Sequence, residues 1–541
     1  MMRRNRIFTD FLRKILKHIL RDNRVEEFIQ FNKSRLKKKR NKNSRVVLIE
    51  LGTNFTGTLA LSYFTKYWHD RNFKVIGYLP AIYKSYFSIL MHTILAKTSI
   101  DNGIHFPYRI ARSIGVERFL IIRHRMKKFR LSKPQSKDFN KLSKKDVLFY
   151  EIDGIRVGDL FYDWHLRKRD LVTLDTKNNF ALEDWRLFLE YLAYWIKTLD
   201  SKNVSTIVVS HSVYLQGIPA RVALSRGIQV LLISYDRVFR LNNDLIHSDL
   251  EYKLYDPNLT FQIGYEIDLE RAKSSWLSDK FIFDYNLKIP GLVSGFNGSE
   301  KLVLNQTSKK PKVLIAPHCF NDAPHSLGDF LFNDYWEWLI YVCESSRNLD
   351  YEWYIKPHPA FSVTEHNILD QILENYPYIK LIDSSVSNKS IFTQGLDAVI
   401  TVQGSIGFEA AMFGILSLCC SKNIPTQNYN FSICAGSLSE FDRLLETISL
   451  LKSKISYDKD KLLHFYDLHI LRKEKTWLFK DKSAQYFSKF GNYFEIFQSP
   501  AVFDIWLSEF YSDELDHNRS TEVQKFLDST NYLFEIDLTS I

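Results

Sequence analysis

Short apolar runs recur along the chain, and each is followed by a stretch of helical character. The first is 45–51 (RVVLIEL); a small-residue loop at 52–58 and a helical stretch over 59–71 lead to a second run at 74–80 (KVIGYLP). Brief runs of aliphatic and β-branched residues read as strands buried on both faces, and their alternation with helices predicts a parallel sheet. The pattern returns at 205–212 (STIVVSHS), with a helix over 217–226 and a strand over 229–234. A second series begins at 311–318 (PKVLIAPH) and runs on through 351–359 (YEWYIKPHP), 379–383 (IKLID), 397–400 (DAVI) and 416–420 (LSLCC). Helices are predicted around Trp336, over 368–375, over 390–394, and over 408–413, where Gly414 stops the last. Two such series predict two Rossmann-like doubly wound domains, at 45–305 and 306–480, with a helical extension over 481–541. The aromatics Trp477, Phe479, Tyr486, Phe490 and Trp506 predict that the C-terminal helices complete the second domain and cross back to the first.

The region before residue 45 has another character. Ile7, Phe8, Phe11, Leu12, Ile15, Leu16, Ile19 and Leu20 fall at helical spacing, with Arg13, Lys14, Lys17 and Arg21 between them. That is a basic amphipathic helix. The chain carries a formal charge of +11, but residues 1–45 hold sixteen Lys/Arg against four Asp/Glu, so the other residues are close to neutral. The basicity therefore belongs to a tail over 1–44 rather than to a groove for nucleic acid, which is not expected as a partner. Docking on an anionic cytoplasmic membrane surface suits it, as does a helix packed on the protein's own body. Charges at every turn and the want of a small-residue cleavage site exclude a signal peptide, and no run is long and apolar enough to span a bilayer. The five cysteines show neither metal nor disulfide spacing, which fits a reduced cytoplasmic protein at the membrane periphery.

The residues that carry chemistry gather in the second series. Thr401 to Ala411 reads as strand exit, small-residue loop and helix start. Gly404 and Gly407 allow close backbone approach to a ligand, and a helix start suits a phosphate. Ser405 adds a hydroxyl, and Glu409 lies one turn in, within reach of a ribose. One strand earlier, Lys356-Pro357-His358-Pro359 fixes the exit of its strand, placing Lys356 and His358 where a doubly wound sheet binds ligands. The glycines at 52–57 do not form a dinucleotide fingerprint, and no nicotinamide cofactor is expected.

Lys-Pro-His-Pro followed by Gly-Ser-x-Gly-x-Glu-Ala resembles the C-terminal half of bacterial capsule and surface-polysaccharide glycosyltransferases of GT-B type, including sialyl- and Kdo-transferring members. The resemblance implies a nucleotide-sugar donor held by the second domain and a polysaccharide or lipid-linked acceptor on the first, with no metal or other cofactor. It implies donor contacts from Lys356, His358, Gly404, Ser405, Gly407 and Glu409, and from His318 and His325 in a His…Asp-Ala-Pro-His loop. Gly-Asp-Leu-x-Tyr-Asp at 158–163 is also similar to the family. Asp153, Asp159 and Asp163 are the candidate bases that would take the acceptor's proton, with Glu151 behind them and His211 as a further candidate at a strand's carboxyl end. The loop residues Thr53, Asn54 and Thr56 are acceptor candidates, with turn chemistry as the alternative. A basic patch over 105–135 suits a polyanionic acceptor or a solvated face. The segment 425–431 (PTQNYNF) is similar to an Asn-Pro-His element of the family but has Gln427 in place of the histidine. The implied activity is glycosyl transfer. Polyol-phosphate transfer, nucleotide-sugar epimerisation and a non-catalytic assembly role stay open beside it.

Overall fold

The computed structural model describes residues 20–36, 45–52, 54–81, 85–122, 139–235, 238–243, 269–277, 295–296, 298–421, 429–471, 477–479, 489–490 and 493–534. The amphipathic run at 7–19, Thr53, most of the basic patch beyond Ile122, and Gln427 lie outside them. The strands, numbered in chain order, are β1 (Val46–Glu50), β2 (Lys74–Tyr78), β3 (Arg118–Leu120), β4 (Glu151–Ile152), β5 (Ile155–Arg156), β6 (Val204–Val209), β7 (Gln229–Ile233), β8 (Val238–Leu241), β9 (Lys312–Ile315), β10 (Glu352–Ile355), β11 (Lys380–Leu381), β12 (Ala398–Ile400), β13 (Leu416–Cys419) and β14 (Ile433–Cys434).

They form two six-stranded sheets and one hairpin, so the α/β architecture of two Rossmann-like sheets predicted from the sequence is present. The first sheet runs β3-β2-β1-β6-β7-β8 and is parallel except for β8, which pairs antiparallel with β7. The second runs β11-β10-β9-β12-β13-β14 and is parallel throughout. Read from its first strand outward, the second sheet has the 3-2-1-4-5-6 order of a dinucleotide-type fold, with the reversal between β9 and β12. Alternation explains its core. Val313 and Ile315 face one cluster with Trp338, Trp353 and Leu416, while Leu314 faces another with Tyr354, Val399 and Phe408. Both faces are therefore covered, as continuous apolar strands require.

The chain divides into two compact units, and the division differs from a break near residue 305. One unit holds 1–137, 185–246 and 475–541; the other holds 138–184 and 247–474. In the second, Gly158 opens the helix Gly158–Arg169 hard against the preceding turn: a Cβ there would run into Val147 O. Polar contacts hold 138–184 to its own unit. Arg156 makes a two-pronged ion pair with Asp329 at 2.5 and 2.8 Å. Tyr162 and Thr173 both donate to Asp334 at 2.5 Å. Asp334 in turn caps the helix Tyr335–Ser346 through Glu337 N–H. The sequence reading gave this segment to the first domain because strand periodicity does not reveal such side-chain ties.

In the first unit, the helix Asn23–Arg35 belongs to the folded body. Val25, Phe28 and Ile29 are buried, and the Phe28 ring stacks on Phe503 with centroids 4.0 Å apart. Arg35 pairs with Asp516 at 2.5 Å. The C-terminal helices Ala501–Glu509 and Asp513–Asp528 belong to this unit too, with the buried Arg519 guanidinium donating to Trp477, Leu478 and Phe510 carbonyls. No helix among the described residues is long and apolar enough to cross a membrane.

Candidate functional site

The crossovers of the second sheet leave in opposite directions from β9 and β12, so a crevice opens beyond the carboxyl ends of those two strands. Three strand exits meet there. β9 runs into Ala316-Pro317-His318, β10 into Lys356-Pro357-His358, and β12 into Thr401 to Gly404.

Lys356 is buried and held by one side chain and one backbone carbonyl from elsewhere in the chain. Its Nζ donates to Asn388 Oδ1 at 2.6 Å and to Gly295 O at 3.2 Å. Asn388 passes the contact on, its Nδ2 donating to Glu409 Oε2 at 2.8 Å. Ser405 Oγ donates to the other Glu409 oxygen at 3.3 Å. Burial pulls the Lys356 pKa down to about 8, against the opposing pull of the Glu409 and Asp383 carboxylates. The ammonium thus sits near its titration point. Asn388, the centre of this network, was not foreseen. It lies in the helix Asn388–Phe392, capped by Ser387, and Ser-Asn at a helix start looks in sequence like ordinary capping chemistry.

At the same strand ends the rings of Tyr335, His318 and His358 are stacked. Tyr335 and His318 centroids are 5.2 Å apart, and His318 and His358 centroids 6.3 Å apart, with interplanar angles of 27° and 14°. Burial, helped by the His358 ring, holds the His318 pKa at about 3, so its imidazole is neutral. His358 is exposed at its outer edge, and the protein packed on its inner side lowers its pKa. Its Nδ1 accepts the Ala360 N–H at 3.1 Å, which assigns the ring proton to Nε2. Gln403 N–H donates to Tyr335 Oη. Two buried polar atoms here have no hydrogen-bond partner among the described residues: His318 Nε2 and Gln403 Oε1.

The glycine loop is built for closeness. A Cβ at Gly404 would stand 3.0 Å from Thr401 Oγ1 and 3.2 Å from His318 Nε2, so only glycine passes there without displacing them. Gly407 is buried and its N–H is bonded to Gly404 O at 3.1 Å, so it shapes the turn. Ser405 is exposed, and Glu409 is buried beneath it. The structure therefore brings together Lys356, His358, His318, Gly404, Ser405 and Glu409.

The acidic candidates and His325 fall elsewhere in the same unit. His325 Nδ1 lies 2.6 Å from Asp163 Oδ1, and its Nε2 donates to Asn333 O at 3.0 Å. Both residues are buried. Burial pushes the Asp163 carboxyl up; it would push His325 down, but the facing carboxylate carries His325 above its ordinary value. The two are occupied by one another. Asp153 is the first residue of the two-residue turn between β4 and β5, with φ 52° followed by Gly154 at 73°. An Asp-Gly pair with both φ positive is the expected tight hairpin, which accounts for the acid without chemistry. Asp159 is buried at the start of its helix, 3.9 Å from Arg156.

In the first unit, Asn54 caps the helix Phe55–Asp70, its Oδ1 taking Gly57 N–H at 2.9 Å and Thr56 Oγ at 2.7 Å. Thr56 is fully buried, so both side chains serve the turn. His211 is exposed just past the end of β6. Its neighbour Ser210 donates through both Oγ and N–H to Glu50, at the end of β1. β1 and β6 flank this sheet's own reversal, so Glu50 holds the corresponding position to the β9 exit. Burial raises the Glu50 pKa to about 7, against those two hydrogen bonds. Glu50 was not foreseen either: it closes an apolar run, where an acid reads as the strand's solvent end.

No family model and no curated protein matches this chain. Solved structures are similar to it in fold at low identity. One is UDP-GlcNAc 2-epimerase from Neisseria meningitidis, bound to UDP-GlcNAc, at 9% identity over 79% of this chain and 99% of that one, with a TM-score of 0.25. Another is KpsC of Thermosulfurimonas dismutans, a beta Kdo 2,4 transferase, at 14% identity over 49% of this chain and 79% of that one, TM-score 0.29. MurG of Acinetobacter baumannii is similar at 11% identity over 89% and 100%, TM-score 0.20. The likeness is remote in each case.

Proposed function

We propose that the chain is a glycosyltransferase that binds a nucleotide-sugar donor in the crevice beyond β9, β10 and β12. The observation that carries the reading is the convergence there of Lys356, Asn388, Glu409 and Ser405 in one hydrogen-bonded chain, beside a neutral His358 whose N–H is at Nε2. In this proposal the Lys356 ammonium and the Ser405 hydroxyl meet the donor phosphates, and His358 Nε2–H donates to a phosphate oxygen. Each lowers the energy of the charge that gathers on the leaving nucleotide. Glu409 holds Asn388 and Ser405 in place beside the donor. His318 lines the same space, and its neutral ring adds shape and hydrogen bonding without charge.

The acceptor is a saccharide or lipid-linked saccharide hydroxyl. Asp153 and Asp163 serve a turn and a buried pair, so neither is given its proton. Contact of the basic tail with an anionic membrane surface belongs to the same proposal and would keep the enzyme near a lipid-linked acceptor.

Product analysis tests the reading. Purified protein is incubated with UDP-glucose, GDP-mannose, CMP-N-acetylneuraminic acid or CDP-glycerol, with and without an oligosaccharide-lipid extract. Nucleotide release that depends on the extract supports glycosyl transfer. Interconversion of the sugar without any acceptor supports epimerisation instead, and consumption of CDP-glycerol alone supports polyol-phosphate transfer.

A further inference from the structure

At the crevice, polar atoms are buried without a hydrogen-bond partner among the described residues. Gln403 and Tyr335 are both buried, and Gln403 directly precedes the glycine that passes His318. The orientation of the Gln403 amide follows from its neighbours. Its nitrogen faces Pro324 O at 3.5 Å, and a carbonyl can only accept, so the NH2 is on that side and Oε1 on the other. Tyr335 then anchors both groups: its hydroxyl takes the Gln403 N–H, and its ring stacks on His318. Thr401 Oγ, beside the same glycine, donates to Ala316 O at 3.1 Å. Gln403 Oε1 and His318 Nε2 are left buried without partners among the described residues. Buried polar groups are otherwise paired almost everywhere in folded proteins, so two such atoms at one strand-end crevice point to a ligand that completes them.

The chemistry of the pair selects that ligand. An amide oxygen only accepts, and it repels phosphate oxygens. The neutral His318 imidazole donates or accepts at Nε2 according to its tautomer, and a hydroxyl answers either. A hydroxyl both donates and accepts, and so suits both atoms. Resting on the donor-site reading above, we propose that Gln403 and His318 read hydroxyl groups of the transferred sugar rather than the nucleotide phosphates, and so set sugar specificity.

The test pairs each nucleotide with its sugar-loaded form: UDP with UDP-glucose, GDP with GDP-mannose, and CMP with CMP-N-acetylneuraminic acid. Affinities are measured by calorimetry for wild type, Gln403→Met and His318→Phe, with thermal unfolding as a check on folding. The second variant keeps the ring stack and removes Nε2, so the test survives if the first does not fold. The expected result is that each variant loses tenfold or more in affinity for the sugar-loaded form and stays within twofold for the bare nucleotide. Equal losses on both probes, or no loss on either, overturn the inference while leaving the donor site standing. Wild-type protein that binds neither member of any pair overturns the donor site, and this inference with it.

Discussion

Lys356 and Glu409 are joined through one amide: Asn388 takes the Lys356 ammonium on Oδ1 at 2.6 Å and gives its own N–H to Glu409 at 2.8 Å. All three are buried, so the amide keeps an ammonium and a carboxylate satisfied out of water. Asn388→Leu removes both bonds at once and leaves each charge short of a partner. The expected loss is about 3 kcal/mol of unfolding free energy by urea titration, with a further weakening of nucleotide binding. A loss under about 1 kcal/mol would show that Asn388 does not hold the network.

If a nucleotide-sugar donor binds as proposed, Lys356 is expected to set the pH dependence of its binding. With a pKa of about 8, it is charged below that value and loses its charge as pH rises through it. Nucleotide affinity is therefore expected to be highest below pH 8 and to fall by up to tenfold per unit above it, limited by one proton. Lys356→Arg keeps its charge and should show a flat profile to pH 9.5. A flat wild-type profile would remove Lys356 from phosphate binding.

Glu50 makes a prediction of the opposite kind, on stability. Its folded pKa of about 7 lies above its ordinary value of 4.5, so the folded protein binds the extra proton. That contribution is fully present below pH 4.5, declines as pH rises, and is gone above 7. Glu50→Gln mimics the protonated form at every pH. At pH 8 it should be more stable than wild type by up to ~3 kcal/mol, and near pH 5 the two should differ little. Urea unfolding of both proteins at pH 5 and pH 8 checks this, and equal stability of the two at pH 8 would contradict it.

Asp163 and His325 are expected to act on folding rather than on turnover. Removing either leaves the other buried and uncompensated. Asp163→Asn and His325→Ala should each cost about 3–5 kcal/mol, and the double variant clearly less than their sum. The check is a double-mutant cycle by denaturant unfolding, with activity measured per folded molecule. Additive losses would mean that the pair is not coupled.

The sheets were legible because strands buried on both faces leave contiguous apolar runs; the strand starting at Lys312 and the one at Ala398 were found in this way. Lys-Pro-His-Pro and the 401–411 loop marked the crevice because prolines and glycines punctuate strand exits. The rest depended on long-range partners. Nothing local to Asp163 announces His325, 162 residues later, and nothing local to Asn388 announces Lys356 and Glu409. Gln403 sat inside a recognised loop yet was passed over, because its role rests on Tyr335 and Pro324 in other elements. Asp153 misled for the reverse reason: a carboxylate suits both a base and a tight turn, and only its backbone angle separates them.

The central claim is that a nucleotide binds at the strand ends marked by Lys356, His358 and Ser405. Calorimetric titration of CMP, CDP, UDP and GDP into wild-type protein and His358→Ala tests it most directly. One of the four is expected to bind wild type, and the variant to bind it at least fivefold more weakly while remaining folded. Binding of none of them to folded wild-type protein, or equal binding to both proteins, would contradict it.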